Sequence, residues 1–290
     1  MRSRGEKKGA LPHSDPVVPS PLAPYGRRPV SRNAGRPSSL ALPPSPLMGE
    51  ARYPAKQGTP YPSPLSIVIP TLDEAAGIVA FLEPLQALRA RGVELVLADG
   101  GSRDGTAAAA AAMVDRVIST RRGRAAQMNA GAAVAASGVL LFLHADCTLP
   151  EQADVSILNG LASSPRRWGR FDVRLAGAPI MLRVVERAMN LRSRLTGICT
   201  GDQGLFVERA LLEQIGGFPE IELMEDIAIS ATLRRCGPPL CLAATLVSSS
   251  RRWEKNGIWR TIVLMWRLRL AYFLGADPRR LADIYHGRKN

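Results

Sequence analysis

Three apolar runs, "LSIVIPT", "VELVLAD" and "VLLFLHAD", recur along the chain with helix-forming segments between them, and each gives way to a carboxylate within a few residues. No other feature limits the possible folds as much. Runs that are apolar almost throughout suit strands covered on both faces, as in a parallel sheet, and parallel strands joined through helices require right-handed crossovers. The expected class is α/β, with a single mixed, mostly parallel sheet flanked by helices. Adjacent parallel strands bring their carboxyl ends to one edge, so Asp73 and Glu74, Asp99, and Asp146 are expected together there. In open α/β sheets that edge is where ligands bind.

The intervening segments read as helices. "AAGIVAFLEPLQALRARG" predicts one helix closed by Gly92, and "TAAAAAAMVDRVI" a helix returning as a short strand. "GRAAQMNAGAAVAASG" predicts an alanine-rich helix with a terminal glycine, and "IAISATLRRCG" a further helix opened by Glu225 and Asp226. Residues 1–64 differ in kind: they hold 14 of the 23 prolines and no apolar periodicity. Such a leader buries too little apolar surface to offset its ordering entropy and is expected to be disordered. It has no apolar core of the kind a secretory signal needs. The expected division is a leader over 1–64, a catalytic domain over 65–253 and a C-terminal helical segment over 254–290.

The formal net charge is +13. The leader carries ten basic against three acidic residues, leaving 28 against 22 for the rest, where arginine dominates. Arginine favours phosphates or an anionic surface. Nucleic acid is not an expected partner, because half of the charge lies in the leader and no recognition motif accompanies it. Four cysteines without CxxC spacing and three histidines make no zinc or disulfide framework, which points to a reducing cytoplasm. The first strand is not followed by G-x-G-x-x-G, which argues against a dinucleotide-dependent oxidoreductase. In "GIWRTIVLMWRLRLAYFLG", three arginines at about 3 kcal/mol each oppose a membrane span. Arg260 and Arg267 share one helical face while Arg269 points nearly opposite, so peripheral membrane contact and packing on the catalytic domain or a partner subunit both stay open.

An acidic strand edge calls for a ligand with donors or a metal. A strand-end carboxylate accepts a nucleobase N–H, and a carboxylate in the turn after the third strand holds a divalent ion on a diphosphate. Arg121, Arg122 and Arg124 add positive charge at a helix start, where free N–H groups attract phosphate oxygens. Together these features describe a nucleoside diphosphate.

The segments "SIVIPTLDE", "VLADGGSRDGT", "GRAAQMNAGA", "FLHAD", "GDQGLFVERALLEQIGGFPE", "MEDIAISATLRRCG" and "SSRRW" resemble, in order, the family 2 glycosyltransferases of the GT-A fold. Within that family the wording is similar to a bacterial subgroup associated with arsenosugar biosynthesis. The resemblance implies inverting transfer of a single sugar from a nucleotide-diphosphate sugar, UDP favoured, to a small-molecule or lipid-like hydroxyl or carboxyl. It also implies Mg²⁺ or Mn²⁺ as cofactor. Pro70, Leu72 and Glu74 then match the first nucleotide turn, Asp99 the carboxylate that reads the base, and Arg124 and Asp146 the diphosphate side. The family's Asp-x-Asp metal motif stands here as His144-Ala145-Asp146, giving Asp146 and His144 as metal ligands. Asp226 matches the catalytic base, with Asp202 in reserve. Gly201, Gln203, Glu225, Arg252 and Trp253 match acceptor or diphosphate positions. Gly100 replaces a usual second aspartate, and Ser249 replaces the glutamine of Q-x-x-R-W. The histidine in the metal motif also motivates the alternative of a catalytically inactive nucleotide-binding scaffold.

Overall fold

The computed structural model of the protein describes residues 63–287. The expected leader lies outside the described residues, apart from Ser63 and Pro64. Strand β1 (Ser66–Thr71) passes through helices α1 (Ala75–Leu82) and α2 (Gln86–Ala90) to β2 (Glu94–Asp99). Helix α3 (Thr106–Ala110) and a 3₁₀ turn (Ala111–Met113) lead to β3 (Arg116–Ser119), and α4 (Arg124–Val134) leads to β4 (Val139–Phe142). Then come β5 (Cys147–Thr148), α5 (Ala153–Ala162), β6 (Trp168–Leu175) and α6 (Ile180–Thr196). A 3₁₀ turn (Gly201–Gln203) precedes β7 (Leu205–Glu208), α7 (Arg209–Gln214), α8 (Glu225–Cys236) and β8 (Leu240–Ser248). Helices α9 (Arg251–Asn256), α10 (Ile258–Phe273) and α11 (Pro278–His286) close the described chain.

One eight-stranded sheet has the order β3-β2-β1-β4-β7-β6-β8-β5. It is parallel from β3 to β4, antiparallel across β4-β7-β6, and parallel again between β6 and β8. The α/β class and the mixed sheet are as expected. Every residue of β1 and β2 is buried, which explains their uninterrupted apolar runs. Helix α4 packs closely on β1 because residue 131 is glycine: a Cβ there would clash with Val68 Cγ1.

Three helix expectations need correction. The segment after β1 forms two helices, since Pro84 lacks an N–H and its ring clashes with the preceding turn. The polyalanine helix stops after one turn and a half. It buries only Thr106 and Ala110, and Gln86 Nε2 takes the Met113 carbonyl at 2.9 Å. Helix α4 ends at Val134, four residues before Gly138, where the buried Arg209 guanidinium collects the carbonyls of Ala132, Ala135 and Ser137.

The C-terminal helices pack on the sheet-bearing part of the chain. Leu268 and Leu281 join Ile198, Leu223 and Ile227 in one apolar cluster, while Ile258 and Ile262 meet Leu182 and Val185 of α6 in another. Among the described residues no helix is long and apolar enough to cross a membrane.

Candidate active site

The loops that leave β1 and β2 interlock. Asp73 takes a left-handed backbone, φ 54°; its N–H donates to Ser102 Oγ at 2.9 Å and its Oδ1 accepts the Arg103 N–H at 2.9 Å. The Glu74 N–H donates to Thr106 Oγ1, and the Ala75 N–H to Asp104 Oδ2, both at 2.8 Å. Asp99 Oδ2 accepts from the Gly101 and Ser102 N–H groups at 3.1 and 2.9 Å, and Oδ1 accepts the Ser102 hydroxyl at 2.5 Å. Asp99 therefore shapes the loop first, and only the second lone pair of Oδ1 remains for a base. Pro70 lies buried in β1 opposite Ala98, and Leu72 is half-buried in the turn beyond it.

Gln127, which the sequence reading did not single out, explains Gly100. Its Nε2 donates to the carbonyls of Thr71 at 2.6 Å and Ala98 at 3.0 Å, tying α4 to the ends of β1 and β2. A Cβ on residue 100 would sit 2.9 Å from that nitrogen. A second aspartate there would displace the Gln127 amide from the two carbonyls.

A cleft of ≈ 150 Å³ gathers Arg124, His144, Asp146, Asp202, Glu225, Asp226, Ser249, Trp253 and Arg269. Asp146 is exposed, and its carbonyl accepts the Ser249 N–H at 3.1 Å, so the turn after β4 is fixed to the end of β8. Glu74 belongs electrostatically to the same group: desolvation, then the Asp146 charge, raises its carboxyl. His144 sits against Gly201, where any Cβ would strike the imidazole. Burial, then Arg124, lowers the His144 pKa against the pull of Asp202 and Asp146, so the ring is held neutral at neutral pH. Neutral imidazole is the metal-ligating form.

Among the described residues no three His, Cys, Asp or Glu side chains converge as a ready-made metal cage. A hard divalent ion is ordinarily bound by one or two carboxylates together with substrate phosphates and waters. Exposed Asp146 beside neutral His144 fits that partial set.

The opposite wall comes from the 3₁₀ turn and the start of α8. Burial raises the Asp202 carboxyl while His144 opposes the rise, and Ser248 Oγ donates to Oδ1 at 3.3 Å. Gln203 does not reach the cleft: it is fully buried, and its Oε1 accepts the Thr200 N–H at 3.2 Å in a capping box. Its expected acceptor role is corrected to a structural one. Met224 enters α8 with φ 70°, turning Glu225 and Asp226 toward the cleft. Asp226 Oδ2 accepts the Gly201 N–H at 3.0 Å and Oδ1 the Ile227 N–H at 2.7 Å, so both carboxylate oxygens are oriented by backbone.

Glu225 is buried, and desolvation, then the Asp226 charge, pushes its pKa up to about 7. The Arg124 guanidinium lies 4.0 Å away and is half exposed. Desolvation lowers the Arg124 pKa, yet Glu225, Asp202 and Asp226 outweigh it and hold the pKa above its ordinary value. Of the neighbouring arginines, Arg121 pairs with Glu220 at the surface. Trp253 closes one side of the cleft from α9; Arg252 lies in the same helix, with its side chain outside the described residues.

Residues 66–174, from β1 through β6, match the family model described as Glycosyl transferase family 2. The match covers less than half of the chain, and the wall built by Asp202, Asp226 and Trp253 lies beyond it. Among solved structures, S. aureus TarS (residues 1–349) superposes with a TM-score of 0.53 at 17% identity, over 64% of this chain and 60% of that one. It has also been solved in complex with UDP. The mannosyltransferase PcManGT from Pyrobaculum calidifontis, in complex with GDP-Man and Mn²⁺, superposes with a TM-score of 0.52 at 22% identity, over 79% and 72% of the two chains. These likenesses establish the GT-A fold. This chain spans about 60% of the TarS chain it resembles. No curated protein sequence matches it.

Proposed function

We propose that the chain is an inverting glycosyltransferase that moves one sugar from a nucleotide-diphosphate sugar, UDP favoured, to an acceptor hydroxyl or carboxyl. The observation that carries this reading is the convergence on one cleft of a diphosphate side and a proton-accepting side. His144, Asp146 and Arg124 supply the first from the ends of β4 and α4; Asp226 and Asp202 supply the second. The TarS complex with UDP and the PcManGT complex with GDP-Man and Mn²⁺ support the ligand class.

Asp146 and His144 would hold the divalent ion, which when bound neutralises the leaving diphosphate as a Lewis acid. Arg124 and the free N–H groups at the start of α4 add positive charge beside the phosphates. Asp226, aimed by its two backbone hydrogen bonds, takes the acceptor proton as the new C–O bond forms, and the electron pair of the broken bond departs with the diphosphate. Trp253 walls the acceptor side.

Peripheral contact with the inner face of the membrane forms part of this reading. Trp259, Val263, Trp266, Leu270 and Phe273 make an outward stripe along α10, each more than half exposed, with Arg260 and Arg267 exposed beside it. An apolar stripe flanked by cations suits an anionic interface.

The test is thermal stabilisation of the full chain by a nucleotide-sugar panel with and without Mn²⁺. A ligand of the native state raises the melting temperature by mass action. UDP-sugars are expected to stabilise the chain more with Mn²⁺, and Asp146→Ala to lose the metal-dependent part. An Asp146→Ala protein with unchanged metal dependence refutes the metal assignment, and a panel without effect refutes the donor class.

A further inference from the structure

The seam between α6 and α10 is apolar along most of its length and ends in two cations. On α6, Leu182, Val185, Met189 and Arg192 recur on one helical face; on α10, Ile258, Ile262, Met265 and Arg269 do the same. The apolar members pack together, and Met265 and Arg269 reach the cleft beside Asp226. Arg192 Nε and Nη2 and Arg269 Nε are shielded from solvent and have no hydrogen-bond partner.

This chain satisfies its structural buried arginines. Arg170 donates to Ser193 Oγ, the Phe171 and Asn190 carbonyls and Asp172, and Arg209 donates to three carbonyls. Three guanidinium nitrogens shielded from water without acceptors on two half-buried arginines are costly for a fold unless something supplies them. Desolvation and then the Arg269 charge lower the Arg192 pKa to about 10, so Arg192 remains cationic near neutrality. Arg269 lines the cleft together with Asp226, and Asp226 is the carboxylate whose charge bears on Arg192, so the pair lies near the proposed base.

We propose that Arg192 and Arg269 form an oxyanion subsite, and that the acceptor is an anionic molecule, bearing a carboxylate or phosphate, whose hydroxyl is thereby presented to Asp226. The acceptor label rests on the glycosyltransferase reading; the subsite itself does not. Guanidinium forks match both oxyanions in geometry, and charge-assisted bonds formed away from water are the strong ones.

The experiment is thermal shift of the full chain in metal-free buffer with glycerol 3-phosphate, D-glycerate, dihexanoyl phosphatidic acid, and neutral glycerol as control. At least one anion is expected to stabilise the parent while glycerol does not, and the anion that works separates a soluble acid from a lipid phosphate. Arg192→Gln/Arg269→Gln is expected to weaken that anion roughly tenfold or more. The variant should keep the parent's stabilisation by UDP with Mn²⁺. Its own melting temperature should equal or exceed the parent's, because two unpartnered charges are gone; the single variants carry the same readout if the double does not fold. No anion effect in the parent, or an undiminished effect in the variant, overturns the subsite. Loss of UDP binding in the variant also overturns it, since the pair would then serve the donor. Arg-dependent anion binding without UDP binding in the parent upholds the subsite and removes the glycosyltransferase reading.

Discussion

Glu225→Gln probes the cost of burying a carboxyl beside Asp226. The group has an ordinary value of 4.5 and about 7 in the fold. Below pH 4.5 it is protonated in both folded and unfolded chains and contributes no difference. As pH rises toward 7 the unfolded chain ionises while the folded one does not, so stability falls with pH and levels off above the folded value. The full shift corresponds to about 3 kcal/mol. That value already includes the opposing pull of Arg124, 4.0 Å away and half exposed. Glutamine keeps the shape and cannot ionise. At about 2–4 °C per kcal/mol for a domain of this size, the melting-temperature advantage of Glu225→Gln should grow by about 6–12 °C between pH 4.5 and 8.5. Circular dichroism melts of both proteins across that range provide the measurement, and the difference between them cancels the shared groups that do not interact with Glu225. A difference that stays flat, or that turns against the variant as pH rises, refutes the burial argument.

Gly100→Asp should displace Gln127 from the Thr71 and Ala98 carbonyls and destabilise the chain by about 1–3 kcal/mol, measured by denaturant unfolding; a Gly100→Asp chain as stable as the parent contradicts the steric account. Trp259→Ser/Trp266→Ser should abolish cosedimentation with anionic phosphatidylserine vesicles while leaving the melting temperature within about 1 °C, since both side chains face outward. Retained cosedimentation would remove α10 as the membrane-facing element.

The strands that position the diphosphate side were legible because burial on both faces leaves a continuous apolar run, and a carboxylate after such a run marks the ligand edge. The break at Pro84 was also written in the chain, but the flanking apolar periodicity masked it. The long-range contacts around the cleft were harder to read. Gln127 acts through a tertiary contact with two strand ends, and its sequence neighbourhood is only an alanine-rich helix. Gln203 lies beside Asp202 in sequence, yet points into the core, because a 3₁₀ turn sends successive side chains to different sides. Arg269 did leave a trace: its place opposite Arg260 and Arg267 on α10 is what a charge turned toward the cleft produces. Its approach to Arg192, 77 positions earlier, depends on how α6 and α10 cross, and no local pattern encodes that.

The central claim is that this cleft transfers a sugar with Asp226 as base. It is tested most directly by nucleoside-diphosphate release from the nucleotide sugar that stabilises the chain best, with Mn²⁺ and a mixture of small alcohols, sugars and hydroxy acids as acceptors. Parent and Asp226→Asn are run side by side. The account predicts acceptor-stimulated release by the parent and a rate lower by about 10² to 10⁴ in Asp226→Asn, with donor stabilisation unchanged. Near-normal release by Asp226→Asn would contradict the role of Asp226, and a parent that binds the nucleotide sugar without releasing diphosphate in any mixture would contradict the transfer itself.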